Sequence, residues 1–386
     1  AYGDQARPGA SPGDSWEHLP TIERGVARVL RDRPEVDVLH LRMADVGALA
    51  GLGAAATLGI DTCFSLAPDP HGVIQSLQDQ GKLDRRSFVD LAASDHVWFR
   101  ARLVERLATE ASRLALFPRA DLDRFFTVPA GVDGGPRRPS VVVPEGIDLT
   151  LTVRAEETLH QSRNGHRPVP NVLADLAARI PEERSHLPLL LSVGRFNPIK
   201  GMDRVAEAWA RDPQLYQSCT LVIVGGSLTD PTPVEQSVLD AIARAVPESS
   251  PAEAGLVLLG GRPREDVALL LAATGSGHPG GWAGGGTYVD GAYKEEFGLA
   301  LIEALAAGLV VTAPSVGGPP SYVEPEVTGV LVDPEADLGP AILRAFTLVD
   351  RPGRAGRARR LVEEKYSVDT MAERLVGLYD SVPILL

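Results

Sequence analysis

The sequence predicts an α/β protein made of two doubly wound domains that face each other across a cleft. Short apolar segments with strand composition alternate with helical segments twice along the chain, which is typical of parallel sheets covered by helices on both faces. A chain of 386 residues is also too long for one ordinary hydrophobic core. We expect the two domains at residues 21–145 and 188–365, with a linker region at 146–187 between them.

The first domain follows an N-terminal arm or loop at residues 1–20, which are rich in glycine and proline. Its predicted helices are 21–31, 44–58 and 87–112, and its predicted strands are 36–41, 61–66, 113–117 and 140–144. A doubly wound domain normally opens with a strand and a glycine-rich turn. Since no such pair precedes Thr21, this domain looks incomplete at its start.

The second domain repeats the alternation, so that both domains are predicted to be Rossmann-like. Its predicted strands are 189–193, 220–224, 256–259, 287–290 and 309–313, and its predicted helices begin near residues 201, 234, 264 and 298. The glycine-rich segment 275–286 is predicted to be a mobile loop. The linker region is expected to hold one helix near 171–180, and residues 366–386 a C-terminal helix.

The composition indicates a soluble globular protein and argues against several kinds of partner. Hydrophobic residues make up 44% of the chain and charged residues 23%, and no apolar run reaches the roughly 18 residues of a membrane span. A net charge of -13 opposes binding to nucleic acid. No signal peptide is visible, so we expect a cytoplasmic protein. Cys63 and Cys219 are expected to be buried thiols, and no metal site is predicted.

A first motif lies at residues 294–308, where two glutamates flank the start of a predicted helix. Apolar residues at helical spacing follow Gly298, which places Glu295 in a loop and Glu303 inside the helix. At about 1.5 Å per residue, roughly 7 to 8 Å of helix separate Gly298 from Glu303. The free amides at the helix start suit a sugar oxygen or a phosphate. Taken alone, a helix with both glutamates solvated explains the segment equally well.

A second motif lies at residues 192–201, directly after the first predicted strand of the second domain. Gly194 permits a sharp turn, after which Arg195 and Lys200 project from one strand-to-helix loop. Two cations at the carboxyl edge of a sheet can clamp a diphosphate, the arginine through its forked guanidinium and the lysine as a point charge. A solvated basic loop is the alternative, and the pair by itself is a weak signal.

Together the motifs resemble those of the retaining GT-B glycosyltransferases, the family that contains sucrose-phosphate synthase, sucrose synthase and bacterial mannosyltransferases. The shared pattern is Gly-Arg-x4-Lys-Gly, followed about a hundred residues later by Glu-x7-Glu with Phe-Gly inside it. The resemblance covers nearly all of residues 188–365. It continues at 306–311, 316–319 and 327–334, and is thinner, of the sucrose-phosphate-synthase type, at 36–47 and 143–148.

The resemblance implies a metal-independent, retaining hexosyltransferase without a cofactor. Its donor would be a nucleotide-diphosphate sugar, with UDP-glucose favoured, and its acceptor a small sugar, a sugar phosphate or another hydroxyl compound. Arg195 and Lys200 would hold the diphosphate and stabilise the charge of the leaving group, and Glu303 would bind the ribose hydroxyls. The residues that would orient the donor sugar are Glu295, Phe297, Gly298 and Leu299.

Three further residues take their predicted roles from the family. Arg262, in the turn 259–262, would lie near the nucleobase. Family members also carry a histidine at the carboxyl end of a first-domain strand, but the usual Phe/Thr-x-His pattern is out of register here. His71 could fill this catalytic role from a position a few residues later, or be a plain loop histidine. His40, inside a strand, is expected to be a core or cleft-wall residue.

Two other charged patterns are better explained by structural roles than by ligand binding. Arg100, Arg102 and Arg106 could bind a phosphorylated acceptor, but a solvated helix face explains them better. The Asp-x-Asp pattern of metal-dependent sugar transferases occurs at residues 121–123, where helix capping is the better explanation.

Two alternatives to a transferase stay open. A nucleotide-sugar epimerase on the same fold would use similar donor contacts without an acceptor. A non-catalytic donor-binding subunit would fit the incomplete first domain and the unmatched histidine. A nicotinamide dehydrogenase is discounted, because no Gly-x-Gly-x-x-Gly follows a strand with an acidic residue about twenty positions further on.

Overall fold

The computed structural model describes residues 16–65, 97–118, 139–248 and 255–381, together with residues 74, 78, 81 and 84. The chain divides into two compact units, of which the first contains Ala1–Pro144 and Met371–Leu386 and the second Glu145–Thr370. The predicted linker region therefore lies within the second unit. Most of the predicted arm and the first part of the predicted helix 87–112 lie outside the described residues.

The first unit contains a four-stranded parallel sheet in which each strand pairs with the next one along the chain. Its elements before residue 145 are α1 (Leu19–Arg31), β1 (Val38–Leu41), α2 (Val46–Leu58), β2 (Asp61–Ser65), α3 (Val97–Glu110), β3 (Arg113–Leu116) and β4 (Ser140–Val142). All four predicted strands are confirmed, each with an end one or two residues shorter than predicted.

The second unit contains a six-stranded parallel sheet in the order β10-β9-β8-β5-β6-β7. Its strands are β5 (Pro188–Val193), β6 (Thr220–Val224), β7 (Leu256–Leu258), β8 (Ala283–Val289), β9 (Val311–Pro314) and β10 (Gly329–Val332). Its helices are α4 (Leu149–Arg163), α5 (Asn171–Arg179), α6 (Met202–Arg211), α7 (Pro213–Ser218), α8 (Pro233–Ala245), α9 (Arg264–Ser276), α10 (Leu299–Ala306), α11 (Leu338–Leu348) and α12 (Arg354–Lys365).

The core of the second unit lies on both faces of its sheet. Leu190 of β5 belongs to one hydrophobic cluster, whereas its neighbours Leu189 and Leu191 belong to the other, because successive side chains of a strand point to opposite faces. All three are fully buried. The continuous apolar runs of β5 and β6 are thus explained by a sheet covered on both sides. Among the described residues, no helix is both long enough and apolar enough to cross a membrane.

The strand order of the second sheet reverses between β5 and β8. From β5 the chain adds β6 and β7 on one side, then returns and adds β8, β9 and β10 on the other. In open α/β sheets, ligands bind at the carboxyl ends of the strands where the order reverses. The two loops at this point are 194–201 after β5, which holds most of the motif 192–201, and 290–298 after β8, which holds the start of the motif 294–308.

These two loops touch through a pair of glycines. Gly201 has a positive φ of 60°, and a Cβ atom at this position would lie 2.0 Å from the carbonyl oxygen of Gly291. No side chain fits between the loops, so the backbones of the two motifs are held in direct contact. This contact fixes the distance between the side chains on either loop.

The helix predicted after Gly298 is confirmed as α10, with Glu295 in the loop before it and Glu303 inside it. The loop predicted at 275–286 is shorter than predicted, because α9 extends to Ser276 and β8 begins at Ala283, which leaves residues 277–282 as the turn. Trp282, in the short turn between them, is buried and donates its indole N–H to the carbonyl of Ala273 at 3.0 Å. Pairing of β8 with its neighbours outweighs the weak strand propensity of glycine.

The last helix, α13 (Val368–Tyr379), returns to the first unit. Leu378 of α13 is buried in a cluster with Cys63, Ala115 and Val143, which come from or follow strands of the first sheet. The predicted C-terminal helix thus forms, and from Met371 onward it covers apolar residues of the first unit.

Replacement of Gly201 by alanine is expected to destabilise the protein strongly. The new Cβ would collide with the carbonyl of Gly291, in addition to the cost of about 1 to 2 kcal/mol for a left-handed backbone. Gly353→Ala is the matched control, since Gly353 has a φ of 74° but open space around a built Cβ. Urea unfolding should show a loss above about 3 kcal/mol for Gly201→Ala and only the backbone cost for Gly353→Ala. Equal losses would contradict the close contact.

Candidate functional site

The two motifs meet in an ion pair between Lys200 and Glu295. Lys200 ends a short 3-10 turn, Pro198–Lys200, whose start is capped by Asn197 through a hydrogen bond from the Ile199 amide at 3.1 Å. The ammonium of Lys200 donates to Oε2 of Glu295, which comes from the loop after β8. The Glu295 side chain is 8% exposed and that of Lys200 25%. The sequence-predicted cation and acid therefore face each other at the point where the strand order reverses.

The backbone of Glu295 is held by the loop after β9. Its carbonyl accepts a hydrogen bond from the amide of Gly318 at 2.9 Å, and its amide donates to Val316 at 3.4 Å. Gly317 between them has a φ of 100°, and a Cβ there would lie 2.0 Å from the Glu295 carbonyl oxygen. The position of Glu295 thus depends on loops from three neighbouring strands.

A second acid, Asp290, lies beside this pair directly after β8. It is 9% exposed, and its Oδ1 accepts a hydrogen bond from the amide of Ala292 at 2.8 Å. Burial is the largest cause that raises the pKa of Asp290 to about 7, and the nearby Glu295 is the second. The charge of Lys200 acts in the opposite direction. Burial disfavours the charge on Lys200, but the carboxylates of Glu295 and Asp290 outweigh it, so the pKa of Lys200 is raised.

The start of α10 lies just beyond this cluster. Gly298 occupies the N-cap position with a φ of 86°, and no side chain caps the first amides of the helix. The hydroxyl of Tyr322 donates a hydrogen bond to the carbonyl of Phe297. The Phe297 ring is buried and packs against the rings of Tyr322 and Tyr366, each with centroids 6.0 Å away. This packing fixes the direction in which the helix begins, at Leu299.

Glu303 lies in the second turn of α10, and its side chain is 25% exposed. Its Oε1 is 3.7 Å from a guanidinium nitrogen of Arg264, the first residue of α9. Burial raises the pKa of Glu303, and Arg264 partly opposes that effect. The carboxylate is accessible to a ligand at the same edge of the sheet as Lys200.

The other predicted donor contacts differ in their surroundings. Arg195 is exposed and makes no ion pair within the described part of the chain, and its positive charge partly opposes the rise in the pKa of Lys200. Gly194 donates its amide to Val224 of the next strand at 3.0 Å. Arg262 is paired with Asp175 of α5 at 2.7 Å. Arg195 is thus open to an anion, whereas Arg262 already has a carboxylate partner.

Of the residues singled out in the first unit, the structure describes only some. His71 and the pattern at 121–123 lie outside the described residues. His40 is partly buried and hydrogen-bonds through Nδ1 to the hydroxyl of Tyr379 at 2.6 Å and through Nε2 to Ser65 at 2.8 Å. Within residues 16–65, 97–118, 139–248 and 255–381, no group of three or more His, Cys, Asp or Glu residues could hold a metal ion.

The arginine run on α3 has partners near it. Arg102 pairs with Glu105 and Arg106 with Glu110, both at 2.8 Å and on exposed side chains. Arg100 donates to the carbonyl of Ala44 at 3.2 Å. These contacts agree with the structural role that the sequence favours for this run.

Three residues at the site were missed by sequence reasoning: Asp290, Tyr322 and Arg264. Asp290 could have been found, because it is an acid at the end of the predicted strand 287–290. Ligand-binding side chains often lie at strand ends where the strand order reverses. Nothing in the local sequence around Tyr322 or Arg264 indicates their contacts, which join segments far apart in the chain.

The open parallel sheet with charged residues at its reversal point defines a doubly wound, ligand-binding class of α/β domain. Residues 176–360 match the model of the family described as "Glycosyl transferases group 1". The second unit therefore belongs to this glycosyltransferase family, as the sequence resemblance implied.

A curated relative agrees with this assignment. The D-inositol 3-phosphate glycosyltransferase of Salinispora tropica is 30% identical over 305 residues, which are 75% of this chain and 55% of the relative. The chain spans about half the length of the curated relatives that it matches first.

The solved structures show the fold. The sucrose-phosphate synthase of Thermosynechococcus elongatus has a TM-score of 0.68 at 20% identity, with 97% of this chain and 81% of that chain covered. Alr3699/HepE of Anabaena, in complex with UDP-glucose, has a TM-score of 0.62 at 17% identity, with 92% and 82% covered. The predicted GT-B fold is confirmed.

Replacement of Asp290 by asparagine is expected to stabilise the protein at neutral pH. Because the folded state raises the pKa of Asp290 from 3.8 to about 7, folding stability is lost as pH rises between these values. The asparagine side chain does not ionise, so the stability difference between Asp290→Asn and wild type should grow across this window by on the order of 1 to 4 kcal/mol. Denaturant melts at a series of pH values measure it.

The control for this series is Asp230→Asn, which removes a carboxylate from an exposed loop residue. Its stability relative to wild type should change little over the same pH range. A pH-independent difference for Asp290→Asn would show that Asp290 does not hold its proton in the folded protein.

Proposed function

We propose that the protein transfers a hexosyl group from a nucleotide-diphosphate sugar to an acceptor hydroxyl, with retention of the anomeric configuration. The single observation that carries the proposal is the meeting of Lys200 and Glu295 at the reversal point of a group 1 glycosyltransferase sheet. This is the position at which such sheets bind nucleotides.

The donor diphosphate is assigned to Lys200, Arg195 and the uncapped amides at the start of α10. Lys200 supplies a fixed charge, Arg195 is exposed and open to an anion, and the helix start adds amide donors with positive partial charge. In the free protein Lys200 is held by Glu295. Donor binding exchanges that carboxylate for a phosphate oxygen, which leaves Glu295 to accept hydroxyl groups of the donor sugar.

The nucleoside is assigned to the edge formed by Glu303 and the turn before α9. Glu303 is partly exposed and only 3.7 Å from Arg264, a distance that is long for a strong ion pair. The carboxylate can therefore exchange this contact for the two hydroxyls of a ribose. Arg262, which is paired with Asp175, is proposed to shape the base-binding turn rather than to bind phosphate.

The proposed reaction breaks the bond between the anomeric carbon and the β-phosphate oxygen and forms a bond from the acceptor oxygen on the same face of the sugar. The acceptor proton passes to the departing phosphate. Lys200 and Arg195 stabilise the negative charge that develops on this phosphate. Since these cations neutralise the leaving group, the proposal includes no metal ion and no cofactor. His71 is proposed to lie near the donor sugar.

The names of similar proteins guide the choice of substrates. Alr3699/HepE of Anabaena was solved in complex with UDP-glucose. This supports UDP-glucose as the donor. D-inositol 3-phosphate glycosyltransferase and sucrose-phosphate synthase both carry a phosphorylated compound in their names. We therefore propose a small sugar, or a sugar or polyol phosphate, as the acceptor.

Lys200→Met is expected to abolish most donor binding and transfer. The substitution keeps an unbranched side chain but removes the ammonium from the proposed diphosphate site, and loss of such a charge costs about 100- to 1000-fold in rate. Calorimetry with UDP-glucose measures binding, and UDP release in the presence of a panel of sugar phosphates measures transfer.

Lys365→Met is the matched control, because Lys365 is an exposed residue at the end of α12. This variant should bind and react as the wild type does. If Lys200→Met bound UDP-glucose with wild-type affinity, the proposed diphosphate site would be refuted.

A retaining mechanism predicts the linkage of the product, and metal independence predicts a rate that a chelator does not change. With UDP-glucose, which is an α-linked donor, NMR spectra of the product should show an α-linkage, and the rate should be unchanged by EDTA. A β-linked product or an EDTA-sensitive rate would contradict these parts of the proposal. Incubation with UDP-glucose alone should give no epimer, whereas an epimer would favour the epimerase.

A further inference from the structure

Asp290 is a buried acid that the proposed reaction does not use. It lies directly after β8, one residue before the glycine contact that joins the two motif loops. It is buried, its Oδ1 accepts a hydrogen bond from the amide of Ala292 at 2.8 Å, and the carboxylate of Glu295 lies close enough to raise its pKa. Two carboxyl groups can share a hydrogen bond only when one of them carries a proton.

The charges around Asp290 show why a proton is retained there. Lys200 from the loop after β5 provides one positive charge, so two ionised carboxylates would leave one buried negative charge uncompensated. Burial makes such a charge costly. With one proton between Asp290 and Glu295, the three groups together are neutral.

The other titratable groups that face Asp290 keep their charge constant near neutral pH. Tyr288 of β8 and Tyr322, which follows β9, donate their hydroxyls to the carbonyls of Val193 and Phe297. Burial is the largest cause that raises the pKa of both tyrosines well above the usual value, and the charges of the nearby carboxylates add to it. Both stay neutral, so among these described groups only the acid pair changes the charge that Lys200 experiences.

We propose that Asp290 is a positioning residue whose protonated form donates a hydrogen bond to the Glu295 carboxylate and keeps the cluster neutral, so that Lys200 can turn from Glu295 to the donor diphosphate. This inference rests on the proposed function. Loss of the proton leaves two carboxylates around one ammonium. They hold Lys200 more tightly and repel the diphosphate, so that donor affinity falls as pH rises.

The test is the pH dependence of UDP-glucose binding, measured by calorimetry from about pH 6 to about pH 9. UDP-glucose is the probe because both of its phosphates are esterified, whereas the terminal phosphate of UDP titrates near pH 6. For the wild type, Kd should be constant below pH 7 and rise toward tenfold per pH unit above it, as expected for one linked proton. For Asp290→Asn, Kd should stay low and flat, because the amide donates to Glu295 at every pH.

Asp290→Ala removes the donor to Glu295 and should bind at least tenfold more weakly than Asp290→Asn below pH 7. Asp230→Asn is the surface control and should keep the wild-type profile. Equal affinities of the alanine and asparagine variants would overturn the positioning role. The positioning role would also be overturned if the Kd of Asp290→Asn rose with pH as that of the wild type does, or if this variant bound UDP-glucose weakly at every pH.

The failure of this inference can be told apart from that of the proposed function. If the wild type binds no nucleotide sugar at any pH, the proposed function is overturned and this inference falls with it. If the wild type binds UDP-glucose but Asp290→Asn keeps the wild-type slope, only the role of Asp290 is overturned.

Discussion

The contact between Lys200 and Glu295 is the interaction on which the arrangement of the candidate site depends. A partly buried ion pair stabilises a protein only when its geometry is well supported. Here the ion pair is supported by backbone contacts. The loops after β5 and β8 touch at Gly201 and Gly291, and the loop after β9 contacts the backbone of Glu295 at Gly317. The charged side chains are therefore placed by close approach of three loops rather than by their own flexible stems.

The groups around Lys200 bear on how an acidic protein could bind the proposed anionic donor. The chain carries a net charge of -13, and three acids, Asp290, Glu295 and Glu303, lie at the edge where the diphosphate is proposed to bind. The pKa of Asp290 and that of Glu303 are raised chiefly by burial. A proton held by Asp290 reduces the negative charge beside Lys200 and Arg195, the two cations of the proposed diphosphate site.

Much of the second unit could be predicted from the sequence, because its strands are short apolar runs and α10 has a clear start at Gly298 and stop near Gly308. Helix α4 was missed, since only Ala155 and Leu159 of its residues are buried and its apolar stripe is therefore faint. The meeting of Asp290 with Glu295, and the pairing of Arg262 with Asp175, depend on tertiary packing that spacing does not reveal. The role of His71 stays a prediction.

The return of α13 to the first unit has a consequence for the order of events during translation. Residues 145–370 can complete their own sheet and core as soon as they have left the ribosome. The first sheet, although made earlier, keeps Cys63, Ala115 and Val143 without the cover of Leu378 until α13 emerges. The nascent first unit is thus partly uncovered, and exposed to aggregation and chaperone binding, until α13 has been made.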